Sequence, residues 1–406
     1  MSEDPANYTP RVVSDGVVLR PHVTAIGQLG NTMYAGGRFH TIYDEQANQN
    51  RTRDNFVMFN ADTGAVSSAA PSFTGEVWAV ETFGNAVYVG GEFSTVGGVQ
   101  RPRLVKLNAD GTVNQAFDAH LRSGRVMDLH MYTGPTGPKL FVGGSAGTKL
   151  MALNPVTGAN TGYVDLGIAD KIPNSFGDVT VANFSISPDQ SKLVAVGNFM
   201  TVAGQSRRRA FMADLPAAGS ATLATWYYKP FEETCRSTRA RRLAYLTDVD
   251  FAPTGEYFVV VATGFTWDFN DKNKTVCDAA ARFETPKTPA YDAEDHPFRP
   301  TWLNYTGGDT IWSVAVTGAA VYVQGHFQYL DNTDGVSTNL DPDAVPRKGI
   351  GAIDPDTGLA LSWNPVKPAQ QGGKQLLATA DGLWVASDSQ RFNGEPRYGI
   401  AFAPLP

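Results

Sequence analysis

Histidine and cysteine are scarce in this sequence, six and two residues among 406. The histidines are scattered and form no His-Glu-x-x-His pair of the kind that holds a catalytic metal. No Walker-type phosphate loop is present, so this phosphate-cradling motif is missing. Two thiols cannot close a structural zinc site unaided. No stretch of ~18 apolar residues exists, so no membrane-spanning helix is expected. The net charge of −7 has the wrong sign for a general binder of nucleic acid or of anionic membranes. No window carries a capped 3.6-residue apolar period, which argues against helical repeats. Met1 to Pro10 is polar and lacks the apolar centre of a secretory leader. The expectation is therefore a cytosolic chain or one whose leader has been removed.

What the sequence does have is a sentence that it repeats. Val87-Tyr88-Val89-Gly90-Gly91-Glu92-Phe93 leads through Thr95-Val96-Gly97-Gly98 to Arg101. β-Branched and aromatic residues ending on paired glycines read as a strand that a neighbour approaches closely. The same block recurs at Gly36-Gly37-Arg38-Phe39, Gly143-Gly144, Val196-Gly197-Asn198-Phe199, Ala262-Thr263-Gly264-Phe265 and Gln324-Gly325-His326-Phe327. A degenerate seventh copy surrounds Ala386, and consecutive copies lie 53–66 positions apart. An apolar segment precedes most copies, and a third strand follows an arginine and closes on turns such as Asn60-Ala61-Asp62-Thr63-Gly64. A short fourth segment ends near an aromatic: Phe73, Phe117, Trp226, Trp302 or Trp363.

Seven such units predict an all-β chain, a seven-bladed β-propeller of four-stranded antiparallel blades, with residues 1–406 as one domain. Residues 1–21 are expected to supply the outer strand of the last blade and close the ring, the stretch Arg11 to Leu19 being the segment that does so. Tyr-Val-Gly-Gly-x-Phe, Thr-Val-Gly-Gly-x-x-Arg and Leu-Asn-x-Asp-Gly together resemble the delta-60-type repeat of bacterial secreted and surface propellers. The resemblance implies a seven-bladed propeller and carries no shared catalytic motif. Propellers of this look include lectin-like subunits of secreted, toxin-type assemblies.

Candidate sites come from the exceptions to the repeat. Arg53, Arg101, Arg207, Arg347 and Arg397 share one position and read as a repeated structural tie to carbonyl groups or aspartates. The residues after the glycines vary, giving Arg38, Glu92, Asn198 and His326 as candidate ligand contacts on one face. Trp78 and Trp312 occupy matching positions of the first strands, where an indole suits stacking against a sugar ring. Asp128 joins them, and Asp128 with Asp248 forms a carboxylate pair for a glycosidase-like alternative. Arg236, Arg239, Arg241, Arg242 and Trp267 lie in enlarged loops and are candidates for docking a partner protein. Cys235 and Cys277 share one enlarged unit, which favours a disulfide and an oxidising compartment over two ordinary cytosolic thiols. The aspartates between Asp331 and Asp343 do not fit an EF-hand, because Leu330 falls at the first ligand position. No metal and no cofactor is expected. The functional expectation is an extracellular, non-catalytic, lectin-like module for a cell-surface glycan or protein, docked to other subunits of a secreted complex. The alternatives are an enzyme acting on a glycan at a channel mouth and an adhesion scaffold. Neither nucleic acid nor membrane insertion is foreseen.

Overall fold

The computed structural model describes residues 1–236, 241–264, 276–285, 298–336, 339–368 and 373–406. Among them there is no α-helix, only a short 3-10 turn at Lys229–Glu232, and no helix long and apolar enough to cross a membrane. Among the described residues, smaller two- and three-stranded sheets accompany seven antiparallel sheets that repeat one order, in which the second strand lies between the first and the third. Their first and second strands are His22–Leu29 with Thr32–Arg38, Val77–Phe83 with Ala86–Gly91, and Val126–Tyr132 with Lys139–Gly144. Next come Thr180–Ile186 with Lys192–Asn198, Leu246–Phe251 with Tyr257–Ala262, Ile311–Val316 with Val321–Gly325, and Gly373–Ala378 with Gly382–Ser387. The chain divides into two compact units. Sheets one to three and nearly all of sheet seven lie in the first, and sheets four to six in the second.

The expected fourth strand is mostly vestigial. Sheets four and five have one, at Thr222–Leu223 and Trp302–Tyr305. In sheets one, two, three and six it shrinks to single bridges: Phe59 with Val66, Leu107 with Val113, Leu153 with Asn160, and Ile353 with Ala360. The N-terminal segment differs from expectation in register. Arg11–Val13 pairs as a strand with Thr41–Asp44 in the first repeat, while Val12 N–H donates to Tyr398 O in the seventh at 2.8 Å. The residues lying along Ile400–Pro404 are earlier ones. Ser2 N–H donates to Pro404 O at 2.7 Å and Ala6 N–H to Phe402 O at 2.9 Å.

The glycine pair follows from a bulge. In the first strand of sheets one, two, four and six the pairing skips one residue: Thr24, Trp78, Ala182 and Trp312. A bulge kinks the strand and turns a carbonyl inward. At Gly37, Gly91, Gly197 and Gly325 an added Cβ would collide with the carbonyl oxygen of His22, Glu76, Thr180 and Thr310 respectively. The preceding glycine answers to the next sheet instead. A Cβ on Gly36 would strike the Val77 side chain, and one on Gly90 that of Val126. The second glycine is therefore a steric requirement wherever this bulge carbonyl faces it, and the first is one only where the next sheet presses in, since Val196 and Gln324 stand in its place in repeats four and six.

The repeated arginines tie the third strand to the fourth segment. Nη1 of Arg53, Arg101, Arg207, Arg347 and Arg397 donates to the carbonyl just before it, at 2.7–2.8 Å. A second N–H group reaches the fourth segment at Ser67 O (2.8 Å), Gln115 O (3.3 Å), Ala224 O (3.3 Å) and Leu361 O (3.2 Å). For Arg397 the partner is Ala6 O, at 2.9 Å. The motif phenylalanines Phe39, Phe93, Phe199 and Phe327 are buried. Their carbonyls accept N–H groups from Asn55, Arg103, Arg209 and Gly349, at the entry to the third strand.

The aromatic insertion at Tyr227–Phe231 is core rather than loop. Tyr228 and Phe231 are 2% exposed and pack with Phe283 at ring separations of 5.4 and 5.8 Å. The expected disulfide forms between Cys235 and Cys277, both buried against Ala244.

Candidate functional site

Several polar side chains of the first strands are committed to neighbouring backbone. Asp248 accepts N–H groups from Val249 (2.8 Å) and Val314 (2.9 Å), and Asp250 accepts one from Val316 at 2.7 Å. Glu81 accepts from Met131 at 2.9 Å, Ser185 from Phe251 at 3.3 Å, and Gln375 from Ile26 at 2.6 Å. Apart from the Val249 bond, which lies within the strand, each crosses from one sheet to the next. Burial pushes the Glu81 carboxyl up to about 7, with His130 and the Met131 N–H opposing the rise. Asp128 accepts Leu129 N–H at 2.9 Å, and its other oxygen lies 3.4 Å from His130 Nε2. Asp128 and Asp248 belong to different units. A carboxylate holding buried N–H groups already has a structural task.

A different constellation gathers in the first unit, where the first strands begin. Trp78 is half-buried at the bulge of Val77–Phe83. The Arg125 guanidinium lies 5.9 Å from its ring centroid and forms a 3.0 Å ion pair with Glu92. Arg125 and Glu92 are each about half exposed (47% and 45%), so the pair can exchange partners with a ligand. The strand geometry explains the meeting, because the Glu92 N–H donates to Glu76 O at 2.9 Å and fixes Glu92 beside the start of Val77–Phe83. Glu76 in turn meets His22 Nε2 at 2.9 Å. Lys374 feels both Asp388 and Glu76, and Asp388 also acts on Lys367. Arg38 is exposed and pairs in register with His22. Trp78, Glu92 and Arg38 thus share one edge of the unit with an alternation of acids and bases.

Sequence reading missed Arg125, Glu76, His22, Lys374, Asp388 and Lys367. Asp388 was discoverable, since it occupies in the degenerate seventh copy the position of Arg38 and Glu92. The others become neighbours through sheet packing, which leaves no local pattern.

The remaining candidates lie elsewhere. Asn198 is 7% exposed, and its Nδ2 donates to Phe176 O (3.1 Å) and Asp178 O (3.0 Å). It clamps a loop that presents Phe176 at 88% exposure. His326 is exposed, 3.7 Å from Asp309. Trp312 is half-buried at the bulge of Ile311–Val316 in the second unit. Cys235–Arg236 pairs with Arg241–Arg242 as a two-stranded ribbon. Arg239 and Trp267 lie outside the described residues, as do the side chains of Arg236, Arg241 and Arg242. Among the described residues no group of three His, Cys, Asp or Glu is placed to hold a metal ion.

No curated protein matches the chain. Among solved structures, the crystal structure of the computationally designed Ika8 protein aligns over 96% of this chain and 98% of its own. Identity is 11% and the TM-score 0.47. The family model for a domain of unknown function, the DUF5122 beta-propeller, matches residues 86–117, from the second strand of the second sheet to Phe117. The second repeat is therefore similar to a β-propeller family in the part of the chain where the repeated sentence is most regular.

Proposed function

We propose that the seven sheets are blades of a closed, seven-bladed propeller of the delta-60 type, secreted, that binds a saccharide without transforming it. The repeat count, the shared strand order and the arginine tie common to five repeats support the ring. The buried disulfide suits an oxidising compartment. Trp78 carries the functional reading. A half-buried indole flanked by an exposed Arg125–Glu92 pair offers an apolar platform with a hydrogen-bonding rim, which is what a pyranose ring asks of a protein. The carboxylates of the first strands, which an enzyme would need free, are engaged by backbone N–H groups at Glu81, Asp248 and Asp250. The same reading makes the protein a recognition subunit that other members of a secreted assembly display at a cell surface.

A glycan array probed with the wild type, Trp78→Ala and Trp312→Ala tests it. The expected result is a defined set of bound glycans, lost on Trp78→Ala with folding intact by circular dichroism. Binding that survives Trp78→Ala, or turnover of a bound glycoside, would overturn the reading.

A further inference from the structure

The Arg125–Glu92 pair beside Trp78 is closed in charge and open in hydrogen bonding. Arg125 Nε lies 3.0 Å from Glu92 Oε2, and both side chains are about half exposed. Among the described residues neither side chain makes a further hydrogen bond or ion pair. The two Nη groups and Glu92 Oε1 are therefore left to solvent or to a ligand. Trp78 adds no polar group of its own. Its Nε1 is buried without a hydrogen-bond partner, so the part of this half-buried indole that faces out is ring carbon. The backbones behind the pair are pinned. Arg125 N–H donates to Ser145 Oγ at 3.0 Å, and the Arg125 carbonyl accepts from Ser145 and Ala146 N–H, each at 3.1 Å. Glu92 N–H donates to Glu76 O at 2.9 Å. A ligand thus meets a donor and an acceptor already in place, which lowers the ordering cost of binding.

We propose that this pair selects an uncharged pyranose through a vicinal diol, one hydroxyl donating to Glu92 and its neighbour accepting from Arg125. The inference rests on the saccharide reading above and names the class of sugar. A hydroxyl both donates and accepts, so two adjacent ones satisfy an acceptor and a donor that stand side by side. Both bonds are charge-assisted. A uronate carboxylate or a sulfate ester instead brings a second negative charge against Glu92, and like charges set side by side are costly. To reach Arg125 it must also displace the carboxylate that already neutralises it. An ammonium sugar meets the same obstacle at Arg125. With the diol on the pair, the apolar face of the ring lies against the carbon surface of Trp78.

Isothermal titration of the full chain with lactose, maltose and mannobiose is the direct test, since their terminal sugars present the common cis and trans diols. Each is run beside the form oxidised to a uronate on its terminal sugar. At least one neutral disaccharide is expected to bind, tighter than its uronate by about tenfold or more. Its monodeoxy forms should lose about tenfold at two adjacent positions and little elsewhere. In Glu92→Gln the acceptor remains and the charge is gone, so the discrimination against the uronate should collapse to within about twofold. Arg125→Met should weaken the neutral sugar by about tenfold, with folding intact by circular dichroism. A uronate that binds as well as its neutral partner overturns the inference and leaves the saccharide reading standing. Monodeoxy forms that point to no adjacent pair do the same. Discrimination that survives Glu92→Gln overturns the assignment to Glu92. Silence from all three neutral sugars overturns the inference, and silence from the glycan array as well sinks the reading beneath it.

Discussion

Arg397 Nε donates a 2.9 Å hydrogen bond to the carbonyl of Ala6, 391 positions away. Four sister arginines make the equivalent bond to a segment of their own repeat. Residues 2–6 therefore occupy, in the seventh sheet, the place that a local fourth segment fills elsewhere. Arg397→Ala should cost about 1.5–3 kcal/mol, the range for a buried hydrogen bond from a charged donor. In a variant lacking residues 1–9 the same substitution should cost markedly less, because its partner has gone. A double-mutant cycle on denaturant midpoints measures that coupling, and additive effects would refute the tie.

The Cys235–Cys277 bond closes a loop with a sequence separation of 42. Loop-closure entropy assigns such a link about 4 kcal/mol. The Cys235→Ala, Cys277→Ala double variant should unfold at correspondingly lower denaturant, and reduction of the wild type should add the mass of two hydrogens. A protein that gains no mass on reduction has no such bond.

Asp248 holds two buried N–H groups from its own strand and the next sheet. Asp248→Ala leaves both without an acceptor and should destabilise by about 2–4 kcal/mol, whereas Asp248→Asn retains one oxygen and should cost roughly half. Thermal melts of the two variants decide it. Equal and negligible shifts would free the carboxylate for another role.

Glu81 sets a pH dependence. Its carboxyl titrates near 7 when folded against 4.5 when exposed, and His130, Asp128 and Tyr88 are the titratable groups facing it. The folded state then binds more protons than the unfolded state between those values, so this group's contribution to stability falls as pH rises from about 4.5 to about 7. Glu81→Gln keeps an acceptor for Met131 and removes the titration. Its advantage over the wild type should be small at pH 4.5 and reach about 1–3 kcal/mol above pH 7. Parallel urea curves at pH 5 and 8 check the sign.

The repeat was legible because its chemistry is local. Gly37 clears a carbonyl of its own sheet, Arg101 reaches back one residue, and the Asn60–Gly64 turn bonds within itself. Such contacts recur at fixed spacing, so the sequence displays them. Arg125 beside Trp78, or Lys367 beside Asp388, depends on which sheets pack together and leaves no spacing to read. Asn198 shows the opposite error. Position in the repeat marked it as exposed, but the loop at Phe176–Asp178 folds over it and turns a presumed contact residue into a clamp. The N-terminal register was missed for a similar reason. Arg11 to Leu19 has the stronger strand pattern, but its strand is Arg11–Val13, which joins the first repeat's hairpin, and the polar residues 2–6 lie along the last sheet.

That last pairing has a consequence for biosynthesis. Residues 2–6 emerge from the ribosome long before Phe402 and Pro404, the residues whose carbonyls they satisfy. At about 5–20 residues per second, these residues wait roughly 20–80 s for their partner strand. Until then the seventh sheet does not exist and Ala6 has nothing to bind. Each of the other sheets can assemble as its own stretch appears, but this seam joins residues 2–6 to Ile400–Pro404 across the whole run of repeats between them.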